Sequence, residues 1–268
     1  MNKFIYRKFD IDRRTLIELC KHRKINKLSF KNVTDIAAIK QKLSLIQVYY
    51  EPLNDHTIAV YKQSDNHRQD IEVISEHDIW LSDFDMRYRM FADLDILELD
   101  LSNTHAKSIS ALVLGASIET LSLGNIDVKS TYSLSRMCRG CTHLKSIDFG
   151  TIDLSNTFIF SQCFYDCKQL TKVDFKDNKV ILRITEDMLW NNTSLREIHM
   201  KKATTTLHDS ELTEMYDTNN FRTIVNAPNL KFIDLSSITS DFYTEDTFKL
   251  QNEKECKIKF KDKTLIIN

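Results

Sequence analysis

The chain's 268 residues are 42% apolar and 28% charged, which excludes extensive disorder and allows a large core in one solenoid or two domains. Four Gly and two Pro exclude a turn-dense β-sandwich and Gly-rich phosphate loops, and no apolar run approaches the roughly 18 residues of a membrane span. Net charge is −1 but segregated: residues 1–50 hold twelve Lys/Arg against four Asp/Glu, residues 51–100 hold four against thirteen, and the rest hold 21 of each.

Residues 1–84 read as a mixed α/β cap. Met1–Asp10 has no apolar leader core, so a cytoplasmic protein is expected. Lys3–Lys8 alternates about Phe4 and Tyr6 as a strand does, and Asp12 stands where it can cap a helix over Arg13–Lys24. That helix places Leu16, Leu19, Cys20 and Arg23 at helical spacing and leaves Arg13, Lys21 and Lys24 toward solvent. Further on, Ile25-Leu28-Phe30 has a strand pattern, Asp35–Lys42 is helical, and Leu43-Ile46-Val48 repeats the strand spacing. Ile46–Glu51 and Thr57–Lys62 predict a hairpin across Pro52–His56, followed by a polar hinge at Gln63–Gln69. The basic and acidic blocks either neutralise each other across an internal contact or offer a docking face at each end.

From residue 85 to 250 a single pattern, apolar-x-x-apolar-x-apolar, governs the chain. Its copies are Ile96-Leu99-Leu101, Ile118-Leu121-Leu123, Leu144-Ile147-Phe149, Leu170-Val173-Phe175, Leu195-Ile198-Met200 and Leu230-Ile233-Leu235. The middle residues are 22, 26, 26, 25 and 35 positions apart, the period of a leucine-rich repeat with one long interval. The expected fold is therefore α/β, a leucine-rich-repeat solenoid with a curved parallel sheet behind the mixed N-terminal cap. The long interval marks an insertion near 203–220, and residues 251–268 supply a C-terminal capping strand.

Met90-Phe91-Ala92-Asp93-Leu94 through Leu99-Asp100-Leu101-Ser102, Met137-Cys138-Arg139-Gly140-Cys141 through Phe149, and Cys163-Phe164-Tyr165-Asp166-Cys167 through Phe175 resemble one repeat unit. That unit is the Met-Phe-x-x-Cys-x-x-Leu-x-x-Leu-Asp-Leu-Ser motif of BspA-like bacterial surface proteins, and the resemblance covers about residues 84–236. It implies the repeat fold and a surface that binds proteins or matrix components. The chain departs from that family in its non-repeat N-terminal block and in lacking a secretion or lipid-anchor signal.

Cys138-x-x-Cys141 and Cys163-x-x-x-Cys167 have the composition of a zinc site. Repeat register instead aligns Cys141 and Cys167 with Asn192 and Asp93, and Cys138 with Phe164 and Trp190, which makes these packing positions. Glu76-His77-Asp78 with Asp83 and Asp85 reads as a solvated acidic segment, and no hydrolase, nucleotide or metalloprotease motif occurs. No catalytic residue, metal, cofactor, membrane or small-molecule substrate is expected.

The outward residue of each repeat strand is Asp100, Ser122, Asp148, Asp174, His199 or Asp234. One reading makes the Asp part of the repeat, bonding locally or pairing with lysines. The other makes Asp100, Asp148, Asp174, His199 and Asp234, with Lys172, Lys176, Lys201 and the insertion residues Glu211 and Tyr216, a protein-binding face. Arg13, Arg14, Lys21, Arg23 and Lys24 are the candidates for nucleic acid or an acidic partner. A non-enzymatic protein-binding module is the leading expectation. A phage- or mobile-element-encoded inhibitor of a host defence nucleoprotein and an enzyme with a catalytic N-terminal cap are the alternatives.

Overall fold

The computed structural model describes residues 10–20, 23–64, 67–82, 89–128, 131–205, 224–225, 227–242, 248–249 and 255–267. The predicted strand at Lys3–Lys8 lies outside them. The described residues form a mixed α/β structure in which short strands predominate. In chain order come β1 (Asp10–Asp12), α1 (Arg13–Cys20), β2 (Ile25–Asn32), α2 (Ile36–Leu45), β3 (Tyr50–Asn54), β4 (Thr57–Gln63), β5 (Gln69–Ser75) and β6 (Ile79–Ser82). Then follow β7 (Ile96–Asp100), β8 (Thr104–Ala106), β9 (Thr120–Ser122), β10 (Ser146–Asp148), β11 (Lys172–Asp174), β12 (Val180–Ile181), β13 (Glu197–His199) and β14 (Ala203–Thr204). The last are β15 (Ile224–Val225), β16 (Phe232–Leu235), β17 (Phe248–Lys249), β18 (Cys256–Phe260) and β19 (Thr264–Ile267).

The largest sheet runs β10-β9-β7-β2-β5-β4-β3, and a second runs β11-β13-β16-β18-β19. Pairing is parallel except where the hairpin strands β3, β4 and β19 join. The inward apolar residues lie directly opposite one another. Leu28 faces Leu99, which faces Leu121, which faces Ile147; Val173 faces Ile198, then Ile233, then Ile258. A one-residue slip would turn every one of these side chains to solvent, so burial sets the register. Ile25-Leu28-Phe30 thus pairs as one more copy of the pattern, and the sheet passes residue 84 without a break.

Leu43-Ile46-Val48 does not. Asp35 caps α2 by accepting the Ala38 N–H at 2.9 Å, the helix runs through Leu43, and Ile46 is its exposed C-cap. The spacing i, i+3 suits a helix as well as a repeat strand, and the cap decided between them. The hairpin forms, but its first strand is Tyr50–Asn54 rather than Ile46–Glu51, because α2 takes the chain as far as Ile46, and Pro52–Asn54 pair within the ladder so that the turn is tighter than expected. At its free edge the N–H direction alternates, and Pro52 occupies a position pointing away from β4, which blunts strand addition.

On the side away from these sheets a row of turns forms its own ladder. Ala111, Val113 and Gly115 donate to Ser135, Met137 and Arg139; Arg136, Cys138 and Gly140 donate to Ser161, Cys163 and Tyr165; Gln162, Phe164 and Asp166 donate to Glu186, Met188 and Trp190. Alternate residues close turns within their own unit, such as Cys141 to Cys138. Residues four apart take the left-handed conformation in each unit: Ala111 and Gly115, Arg136 and Gly140, Gln162 and Asp166, Asp187 and Asn191. The chain's return between repeat strands is therefore a stack of turns in which each unit satisfies its neighbour's backbone. Its register corrects the sequence alignment by one residue. Leu94, rather than Asp93, corresponds to Cys141, and Leu189, rather than Trp190, corresponds to Cys138 and Phe164.

Candidate functional site

From β7 to β18 the strands of the two large sheets are so short that each projects only two side chains away from the core. From β7 onward these are Glu98 and Asp100, Thr120 and Ser122, Ser146 and Asp148, Lys172 and Asp174, Glu197 and His199, Phe232 and Asp234, and Lys257 and Lys259. The row includes all the outward strand residues selected from sequence. α2 covers the far end of the same face, packing on Ile58, Val60 and Ile74. Where the ladder lapses between β10 and β11, Phe149 and Phe175 stack beneath at 4.3 Å and Lys176 pairs with Asp148 above.

The aspartates have a local task. Asp100 Oδ1 accepts the Ser102 N–H at 3.0 Å, Asp148 accepts Gly150 at 2.7 Å, Asp174 accepts Lys176 at 2.8 Å and Asp234 accepts Ser236 at 3.1 Å. Each carboxylate thus closes the turn two residues after its strand. Lys176 and the Gly150 N–H lower the Asp148 carboxyl below its ordinary range. At Asp174 burial opposes ionisation, but the Lys176 N–H and Lys172, 3.0 Å away, outweigh it and lower that carboxyl too. Repulsion along the row, about 1 kcal/mol per stacked pair in a water-like medium, is offset by these partners. The turn role explains Asp100, Asp148, Asp174 and Asp234 without a ligand.

His199 differs. Its Nε2 lies 3.1 Å from Glu197, its ring tilts against Phe232 at 5.5 Å, and its buried Nδ1 makes no hydrogen bond. Asp174 and Asp234 flank it on the adjacent strands. Lys201 is exposed on the turn after β13, whereas Glu211 and Tyr216 lie outside the described residues.

Two of the five N-terminal basic residues are engaged within the chain. Arg13 donates to the carbonyls of Arg89, Met90 (3.2 Å) and Ala92 (2.8 Å), tying α1 to the first repeat turn. Arg23 lies over the Tyr61 ring at 4.6 Å and donates to the Leu19 carbonyl. Arg14 and Lys24 are exposed, and Lys21 lies outside the described residues.

The Glu76-His77-Asp78 run is likewise divided. Glu76 accepts the Ile36 N–H at 2.7 Å and contacts His56 at 2.9 Å, His77 packs on His56, and Asp78 approaches His105 at 3.9 Å. His105 is also held by Asp127 at 3.1 Å and stacked on Trp80 at 4.8 Å, a cluster that no sequence motif signals.

The four paired cysteines are buried, and burial pushes their thiols up, Cys141 to about 12. Cys141 donates to the Val113 carbonyl and Cys167 to that of Cys138, as Asn192 does to Phe164 from the same position. Among the described residues no group of three or more His, Cys, Asp or Glu side chains is set to hold a metal ion, and no helix is long and apolar enough to cross a membrane.

Sequence reasoning missed Glu98, Thr120, Ser146, Glu197, Phe232, Lys257 and Lys259 as members of this face. Period-two alternation from the chosen residues would have found the first five. Comparison with protein-family models, curated proteins and solved structures returns no match for this chain.

Proposed function

We propose that the stacked units are a leucine-rich-repeat solenoid with the outward sheet face on its concave side, and that the chain is a non-enzymatic cytoplasmic protein that binds another protein there. The observation that carries this is the strip itself, a continuous row of charged, hydroxyl and aromatic side chains directed away from the core, on a backbone held from behind by the turn ladder. Rigid placement lowers the entropy lost on binding, and charge arrangement selects the partner. Phe232 beside His199 supplies the aromatic contact on which binding energy concentrates.

The test captures partners on the tagged full chain and remeasures affinity after Lys172→Ala, Glu197→Ala and Phe232→Ala together. These side chains have no turn to close, unlike Asp148 and Asp174. At least tenfold weaker binding is expected. Unchanged affinity in a variant that keeps its melting temperature would move the site elsewhere.

A further inference from the structure

We infer that the free edge of β19 is a docking site at which an extended segment of another protein, alternating apolar and acidic residues, adds as a further strand. It uses the edge of the sheet rather than its outward strip, and stands or falls without the protein-binding reading of that strip. Among the described residues β19 ends the second sheet, with β18 on one side and no strand on the other. Its register with β18 has no bulge, and Thr264-Leu265-Ile266-Ile267 contains neither proline nor charge. Natural sheet edges are blunted by such devices, as Pro52 blunts β3 at the end of the larger sheet. An edge without them is a template for pairing.

Backbone geometry defines what the edge offers. Phe260 donates its N–H to the Lys263 carbonyl at 2.8 Å, so bonded pairs recur at Ile258 with Leu265 and Cys256 with Ile267. The N–H and C=O groups of Thr264 and Ile266 therefore point away from β18, toward the added strand. Side chains decide which strand fits. On the core side Leu265 and Ile267 are only partly buried against the main apolar cluster, and alternate apolar residues of a neighbouring strand would complete their cover. On the outer side Ile266 is 58% exposed, with Lys257 and Lys259 beside it on β18, both exposed. Residues 255–267 hold Lys257, Lys259, Lys261 and Lys263 against Glu255 and Asp262. Asp262 accepts the N–H and hydroxyl of Ser240 at 2.8 and 2.6 Å, and Glu255 lies 3.7 Å from Lys257. Asp234, opposite Lys259 on β16, is buried and closes its own turn. The partner's outward positions are thus acidic. A second copy would bring the same four lysines to the edge, and like charges disfavour it.

Fluorescence anisotropy on the full chain tests this with three ten-residue peptides. One alternates valine and glutamate, one has the same composition in doubled steps (Val-Val-Glu-Glu), and one alternates valine and lysine. The first is expected to bind at least tenfold more tightly than either of the others. Ile266→Pro removes an N–H that the hairpin does not use and should weaken that binding at least tenfold. Lys257→Glu with Lys259→Glu leaves the backbone intact and should shift the preference to the lysine peptide. The Lys172, Glu197 and Phe232 variant should bind the first peptide as the unaltered chain does, so the edge and the outward strip can fail separately. Equal binding of the first peptide and either of the others, binding of none, or undiminished binding to Ile266→Pro would overturn the proposal. Self-association of the free chain that is lost on Ile266→Pro would overturn it too, by assigning the edge to a second copy.

Discussion

Residues 10–82 and residues 89–205 use different means to satisfy a backbone. The first region has two helices and strands of up to eight residues, and much of its hydrogen bonding closes within that region. The second has strands of two to five residues and no helix among its described residues, and its turns bond chiefly to the next unit. No such unit can bury its own apolar face, so stability there is collective. The first region can tolerate a local defect; the second transmits it.

Phe175 offers the largest disruption. It is fully buried and touches Phe149, Phe160 and Phe164, joining the two sheets where the strand ladder lapses. Phe175→Ala should cost roughly 3–5 kcal/mol in denaturant unfolding. Hydrogen exchange should show protection lost along residues 134–200 while β2, β4 and β5 keep theirs. Uniform loss across both regions would refute the contrast.

Gly150→Ala comes next. The residue has φ +53°, and a Cβ there would overlap the Gly124 carbonyl oxygen of the preceding unit. The left-handed conformation alone costs about 1–2 kcal/mol for a side chain, and moving the neighbouring unit adds to it. Arg13→Ala tests the join between the regions. Losing its bonds to the turn at residues 89–92 should cost roughly 1–2 kcal/mol, discounted for partial exposure, and should loosen α1 before the repeats.

How much of this was legible depended on which atoms carry the information. Leu28, Leu99, Leu121 and Ile147 were readable because their side chains must alternate between core and solvent. The turn ladder was not, since its N–H and C=O groups are the same whatever residue bears them. For Asp100 and Asp148 local bonding was one of two readings, and Ser102 and Gly150 two positions later signal the turn each closes, whereas Asp174, with Lys176 in that place, carries no such signal. Arg13 read as a solvent-facing charge because the carbonyls it binds lie more than seventy residues away.

Titration weighs on the regions unequally: burial raises one thiol in residues 10–82, Cys20, to about 11, and four in the repeats. Cys138, Cys141, Cys163 and Cys167 have thiol pKa values raised by burial, so stability is fully present below the unfolded-state value of about 8.5 and is lost as pH rises beyond it. Asp148 and Asp174 are lowered, so their contribution is present above about pH 4 and is lost as pH falls through their folded values. All four cysteines lie in the repeats, and unfolding followed at pH 9.5 should weaken that region first. Iodoacetamide should spare them until denaturant opens the stack; labelling of the native protein would contradict their burial.

The smallest effect is expected at Lys176, and it bears on function. Its φ is +52°, in the turn position that holds Gly124 and Gly150 in the two preceding units. Lys176→Gly removes about 1–2 kcal/mol of backbone strain. It also gives up an exposed ion pair with Asp148 worth about 0.2–1 kcal/mol and adds unfolded-state freedom of about 0.5–1 kcal/mol. The terms nearly cancel, so the melting temperature should move by about 2 °C or less. A lysine that confers no net stability in a glycine's position is then explained by the charge it places on the face, and affinity for the captured partner should fall although the fold is unchanged. Retained affinity would make Lys176 a neutral occupant of its turn and confine the binding strip to the residues that project from the strands.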